Sequence, residues 1–224
     1  MTDERKAAIA IIAGSLGGML TMAIHPQGAA GLTPDQANHL ATMSAIAHSI
    51  AMVSFLLLFL GACGLTCRLT SIDSTAIDKS RLPFAALVTF GFSCFAILIA
   101  TTVSGFIVPS ILRHMVYDAP ATQPEYRLII SAIFQFNQAF SKIYSVGASA
   151  AIALWSLAAI RYGGLSRGLA TYGCIVSPLI VLGILVGHLR LDIHGMAVIV
   201  LAHATWWIIA AIQLTSKQTS SLAA

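Results

Sequence analysis

Charge is what this chain has least of. Lys, Arg, Asp and Glu together make up 9% of its 224 residues, against about 25% in an ordinary soluble domain. That deficit excludes a soluble globular fold. Acidic residues are absent from every long apolar run, so no carboxylate waits inside to neutralise a buried cation. Cysteine is nearly as scarce, with four residues, and no disulfide framework is implied. Cys63 and Cys67 share a helix face, but their spacing alone carries no metal or redox chemistry. There is no nucleotide fingerprint, phosphate loop or nucleophile-base pair, and no linker or charge run marks a second domain. One membrane domain over residues 1–224 is the expectation.

What fills the space is hydrocarbon. Hydrophobic residues make up 58% of the chain, and mean hydropathy is +0.87. Six apolar runs can be drawn, at about 7–24, 39–65, 84–111, 128–160, 169–188 and 195–214. Each approaches or exceeds the ~18 residues that read as a bilayer span. Backbone groups in lipid must be satisfied within the segment, so the expected fold is an all-α bundle of six transmembrane helices. Met-Thr-Asp-Glu-Arg-Lys before the first run resembles a signal-peptide leader, yet no small-x-small cleavage site closes that run. It is kept as a span, with Gly14 and Gly18 as a G-x-x-x-G packing pair. Pro109 and Pro178 are expected to disturb the third and fifth spans.

Basic residues set the expected orientation. Arg5, Lys6, Arg68, Lys79, Arg81, Arg161, Arg167 and Lys217 fall on one side; Arg113, Arg127 and Arg190 fall on the other. The positive-inside rule puts both termini in the cytoplasm, most simply of a bacterial inner membrane. This asymmetry accounts for the net charge of +4 without a nucleic-acid partner.

On that topology all seven histidines fall in the outer half. His39 and His48 stand nine positions apart in HLATMSAIAH, and His194 and His203 repeat the spacing in HGMAVIVLAH. Nine residues is two and a half turns, so the members of a pair face opposite ways. The expected arrangement is one interior ligand per helix, His48 and His203 at matching depth, with His39 and His194 at the mouth. Spans one and two, with His25, also suggest a parallel repeat of spans five and six, with His188. Methionines share the outer bias: Met19, Met22, Met43, Met52, Met115 and Met196.

The fourth span carries a polar stripe. Ser131, Gln135, Gln138, Lys142, Ser145 and Ser149 recur at alternating intervals of four and three, which draws one line along a helix. Lys142 lies about 22 Å from Arg127 along the axis, too deep to snorkel easily. Such a stripe must face other helices or a wet cavity. Gln135, Gln138 and Lys142 are therefore candidate substrate contacts, Lys142 for an anion. The compact GHLRLDIHG turn is a candidate cap on a cavity between the fifth and sixth spans.

Three functions suit these residues. With His48 and His203 on two helices, the chain resembles small membrane-embedded b-type cytochromes. That resemblance implies haem b held by the two imidazoles, with a quinone or another electron-transfer partner. Because the inner half has no histidine, it implies one or two haems on the outer side only. A metal site is the second reading: His25, His48, Met52, His188 and His203 offer imidazole and thioether donors, which suit copper. The third is a transporter or binding protein for a small anionic ligand, lined by Gln135, Gln138 and Lys142.

Overall fold

The computed structural model describes residues 2–26, 33–71, 78–118 and 123–219. Every regular element among them is helical. In chain order they are α1 (Asp3–Ile24), α2 (Pro34–Thr70), α3 (Asp78–Thr102), a single π turn (Val103–Ile107), α4 (Val108–Tyr117), α5 (Gln123–Tyr162), α6 (Arg167–Leu185) and α7 (Ile193–Thr219). Since α3, the π turn and α4 run on as one, six helices are long and apolar enough to cross a membrane. Large apolar side chains such as Leu60, Phe92 and Leu179 point outward from the bundle, as a lipid environment requires.

The helices overrun the apolar runs at most ends because polar residues cap them. Thr33 opens α2 with a reciprocal capping box to Gln36, and Pro34 follows where a missing N–H costs nothing. Ser166 caps α6 through its hydroxyl, and Asp192 caps α7 by accepting from the Gly195 N–H at 2.9 Å. The fifth helix ends earlier than expected. Gly187, at φ +78°, turns the chain there, and the Leu189 N–H closes back on the Gly183 carbonyl.

Small residues set which helices meet. A methyl group on Gly14 would lie 2.6 Å from the Ser54 carbonyl, and one on Gly64 would lie 2.3 Å from Ala7. α1 and α2 therefore approach almost backbone to backbone. The partner glycine of Gly14 is Gly17, against Ser54, while Gly18 faces Val200 of α7. The expected G-x-x-x-G pair is thus divided between two neighbours. α3 packs on α5, α7 on the free side of α1, and α6 on α5.

Length differences shape the molecule. α5 has 40 residues and α6 only 19, or roughly 60 Å against 29 Å. α2 has 37 residues and α1 has 22. The start of α2, α4 and the start of α5 thus continue past the ends of α1 and α6, tied by the Asn38 amide donating to Tyr117. At the opposite end, where Arg68 and Arg161 lie, Phe90, Trp155, Trp206 and Trp207 form a buried aromatic block. Trp155 donates to Thr66 and Trp206 to Ser156, so both indoles are satisfied. An Arg68–Glu4 ion pair joins α2 to α1 at that end.

Candidate functional site: a histidine-lined cavity

Above the aromatic block the bundle is hollow. A cavity of about 480 Å³ runs between α1, α2, α5 and α7, with the π turn and α4 closing one side. That volume lies within the usual range for small-molecule sites. Its wall is mainly apolar, with Phe55, Leu58, Ile97, Val200 and Trp207 contributing. The turn before α7 roofs part of it: Leu191 and Asp192 reach the wall, and Gln138 of α5 donates to the Leu191 carbonyl at 3.1 Å. The expectation that GHLRLDIHG caps a cavity agrees with this arrangement, although the space lies between α1, α2, α5 and α7 rather than between the last two helices.

Three histidines, His25, His48 and His203, line this cavity. The other four, His39, His114, His188 and His194, are exposed. His48 is 5% exposed and His203 4%, so both occupy the interior. A chain of local causes holds His48. The ring of Pro109 would collide with the Gly105 carbonyl in a regular α-helix. The backbone widens there into the π turn, a local form common at functional sites. Gly105 within that turn presses on His48; a methyl group there would lie 2.5 Å from the His48 Cβ. Ser44 donates to the Ser104 carbonyl at 3.0 Å, and the Ser44 carbonyl accepts from His48 Nδ1 at 2.7 Å. With Nδ1 carrying the proton, Nε2 keeps a free lone pair.

His203 is held differently. Its Nε2 pairs with the Ser149 hydroxyl at 3.0 Å, while its Nδ1 is buried with no partner. Two further buried polar atoms among the described residues also lack one, Ser15 Oγ and Asn137 Oδ1. All three residues line the same cavity. An unmade hydrogen bond on a buried group costs about 1–3 kcal/mol, so three in one wall form a concentrated penalty.

His48 and His203 share the cavity but not a level. Thr21 donates to the Ala47 carbonyl, which sets His48 beside the last turn of α1. Gly18 faces Val200 in the antiparallel α1–α7 pair, which sets His203 roughly level with Ser15. The two imidazoles thus come from heights about 9 Å apart. The expected equal depth is corrected because α2 begins well beyond the end of α1, whereas α7 begins near it.

The polar stripe divides along its length. Ser145 and Ser149 are buried and Gln138 reaches the cavity, but Ser131, Gln135 and Lys142 are exposed. α6 runs back along α5 only to roughly the level of Tyr144, where Val146 packs against the cluster of Ile180, Ile184 and Ile199. Lys142 and Gln135 lie past that cover and do not line the cavity. Met52 and His188 are also outside it. The residues not anticipated are Ser15, Ser44, Asn137, Ser141 and Tyr144. Asn137, Ser141, Tyr144 and Ala148 form their own stripe, at intervals of four, three and four, one residue behind the expected one. It was legible by the same periodicity.

The fold and the cavity define an integral membrane helical bundle with a polar-studded apolar pocket toward one end. No known protein family, curated protein or solved structure matches the chain. Among the described residues, no group of three or more His, Cys, Asp or Glu is placed to hold a metal ion.

Proposed function

We propose that this membrane protein binds a small, mainly apolar molecule carrying hydrogen-bonding groups, held in the half of the bilayer away from the cytoplasm. The observation that supports this is an apolar-walled cavity of about 480 Å³ whose lining includes Ser15, Asn137 and His203, each with a buried polar side-chain atom that has no partner. A hydroxyl donates or accepts, an amide oxygen accepts, and an imidazole nitrogen does either according to tautomer. A quinone headgroup with an alkyl tail has this chemistry: its carbonyls would take the Ser15 hydroxyl and His203, and the tail would lie on the apolar wall. The positive-inside rule places both termini, and the aromatic block, toward the cytoplasm. That block closes the cavity on the cytoplasmic side, which favours binding or redox exchange over passage through the bundle. For the anion-transporter reading, Lys142 and Gln135 lie outside the cavity and supply no support.

The test is direct. Protein purified in mild detergent is extracted with organic solvent, and the extract is analysed by mass spectrometry. Wild type should release about one equivalent of a small molecule that a Ser15→Ala/His203→Leu double variant has lost. A short-tailed benzoquinone added to the emptied protein should raise its melting temperature in wild type only. No bound molecule and no quinone-dependent shift, in a folded protein, would overturn the reading.

The haem b reading keeps one observation in its favour, the free Nε2 of the buried His48. The His203–Ser149 bond and the ~9 Å offset between the two levels weigh against His203 as the opposite axial ligand. An oxidised-minus-reduced absorption spectrum decides it. A Soret band lost in His48→Leu supports haem, and a featureless spectrum from cells supplied with haem removes it.

A further inference from the structure

The cavity holds a second arrangement, distinct from the three unpaired atoms. His25, at the end of α1, and His48 of α2 meet ring to ring with centroids 5.1 Å apart and planes inclined at 67°. Both rings are fixed from behind by backbone. His25 Nδ1 lies 3.1 Å from the Pro26 carbonyl, and His48 Nδ1 lies 2.7 Å from the Ser44 carbonyl. In each case the proton belongs on Nδ1 and the lone pair on Nε2. Histidines that ligate metals are held in this way, with the far nitrogen donating to a carbonyl so that tautomer and ring orientation are set. Here two neighbouring histidines are so prepared, on separate helices, facing one cavity.

From this we infer a soft metal site: His25 Nε2 and His48 Nε2, with the Met22 thioether, bind one Cu(I) ion at the cavity wall. Met22 stands one turn before His25 on the same face of α1 and lines the same cavity. The donor set selects the ion. No cysteine lines the cavity, and no cluster of three His, Cys, Asp or Glu is placed to hold a metal among the described residues, which disfavours zinc, since structural zinc usually takes four such ligands. Asp192 reaches the wall, but its carboxylate is occupied at the start of α7. Two imidazoles and a thioether suit Cu(I). Spacing agrees with a third donor. A linear two-imidazole ion with metal–nitrogen bonds of ~2.0 Å would hold the ring centroids about 6 Å apart, and these are closer. The pair therefore calls for a bent geometry, which leaves room for a third donor.

The experiment uses the full-length protein in detergent under anaerobic conditions, with Cu(I) maintained by ascorbate. Bicinchoninate serves as the coloured competitor. Wild type should withhold one equivalent of Cu(I) from it. His25→Leu, at a half-buried helix end where the fold tolerates change, should weaken retention at least tenfold. Met22→Leu should weaken Cu(I) retention while leaving any Zn(II) binding unchanged. His39→Leu, on the exposed face of α2, should match wild type. Equal retention by wild type and His25→Leu overturns the proposal, as does equal loss in His39→Leu. Zn(II) bound more tightly than Cu(I), with no effect of Met22→Leu, overturns the choice of a soft ion. Organic extraction on the same preparations reports the other cavity ligand separately, so either proposal can fail alone.

Discussion

Ser15 carries the simplest of the unpaired atoms, a hydroxyl on the cavity face of α1, 3% exposed and without a partner. Removing a buried hydroxyl that bonds to nothing eliminates a penalty rather than an interaction. Ser15→Ala should therefore raise the melting temperature of the emptied protein, by the equivalent of about 1–3 kcal/mol. The same change should weaken binding of whatever the cavity holds. A lower melting temperature in the emptied protein would mean that Ser15 makes a bond in the resting state. Stability and binding moving in opposite directions is the mark of a site. At the other end of the cavity Asp192 titrates. Its carboxyl is held below the usual carboxylate range, chiefly by the Gly195 N–H and further by the His194 backbone and the nearby His194 and Arg190 charges. A depressed folded-state value means that the stabilisation is complete above the unfolded value, about 3.9. It is lost as pH falls through the folded value. Asp192→Asn keeps the cap but should flatten this acid limb in melting curves taken between neutral pH and pH 3.

Among the elements, the π turn is the one whose form and use are tied together. Pro109 forces the widening, and Gly105 lets the widened backbone lie against His48. Gly105→Ala introduces a methyl group 2.5 Å from the His48 Cβ, a clash that only backbone or ring displacement can relieve. Overpacking of this kind costs about 1–3 kcal/mol. The expected outcome is a lower melting temperature together with loss of Cu(I) retention. An unchanged affinity would show that the turn does not position His48. Much of this element scale was legible in sequence. All six spans were visible as apolar runs, and Pro109 marked a disturbance at the right place. The caps were harder to place, because Thr33 and Ser166 sit outside the apolar runs whose ends drew the boundaries. The stripe on α5 failed halfway for a reason no single helix reveals. Whether Lys142 is covered depends on where α6 stops, which is a property of a neighbour 19 residues long. The equal depth assigned to His48 and His203 failed likewise, since counting from helix entrances ignores how far one helix protrudes past the next.

For the whole molecule, the decisive asymmetry is between a closed end and a hollow one. The aromatic block and the Arg68–Glu4 pair close one end; His25, His48 and His203, with Ser15 and Asn137, line the space toward the other. Which end meets the cytoplasm determines where the cavity's ligands come from. Cys67, exposed in the last turns of α2, and His114, exposed near the end of α4, report on the two ends. They are separated by one passage of the chain through α3, the π turn and α4. In a variant keeping Cys67 as its sole cysteine, a membrane-impermeant maleimide should label inside-out vesicles and spare intact cells. In a cysteine-free background, His114→Cys should show the reverse. If both positions label from the same face, α3 and α4 do not form a crossing, and the six-span topology fails. If they label from opposite faces in the inverted sense, the bundle stands but the positive-inside orientation does not, and the cavity lies in the cytoplasmic half. In the expected sense, copper and any organic ligand must arrive from outside or through the apolar layer itself, because four packed aromatic rings stand between the cavity and the cytoplasm.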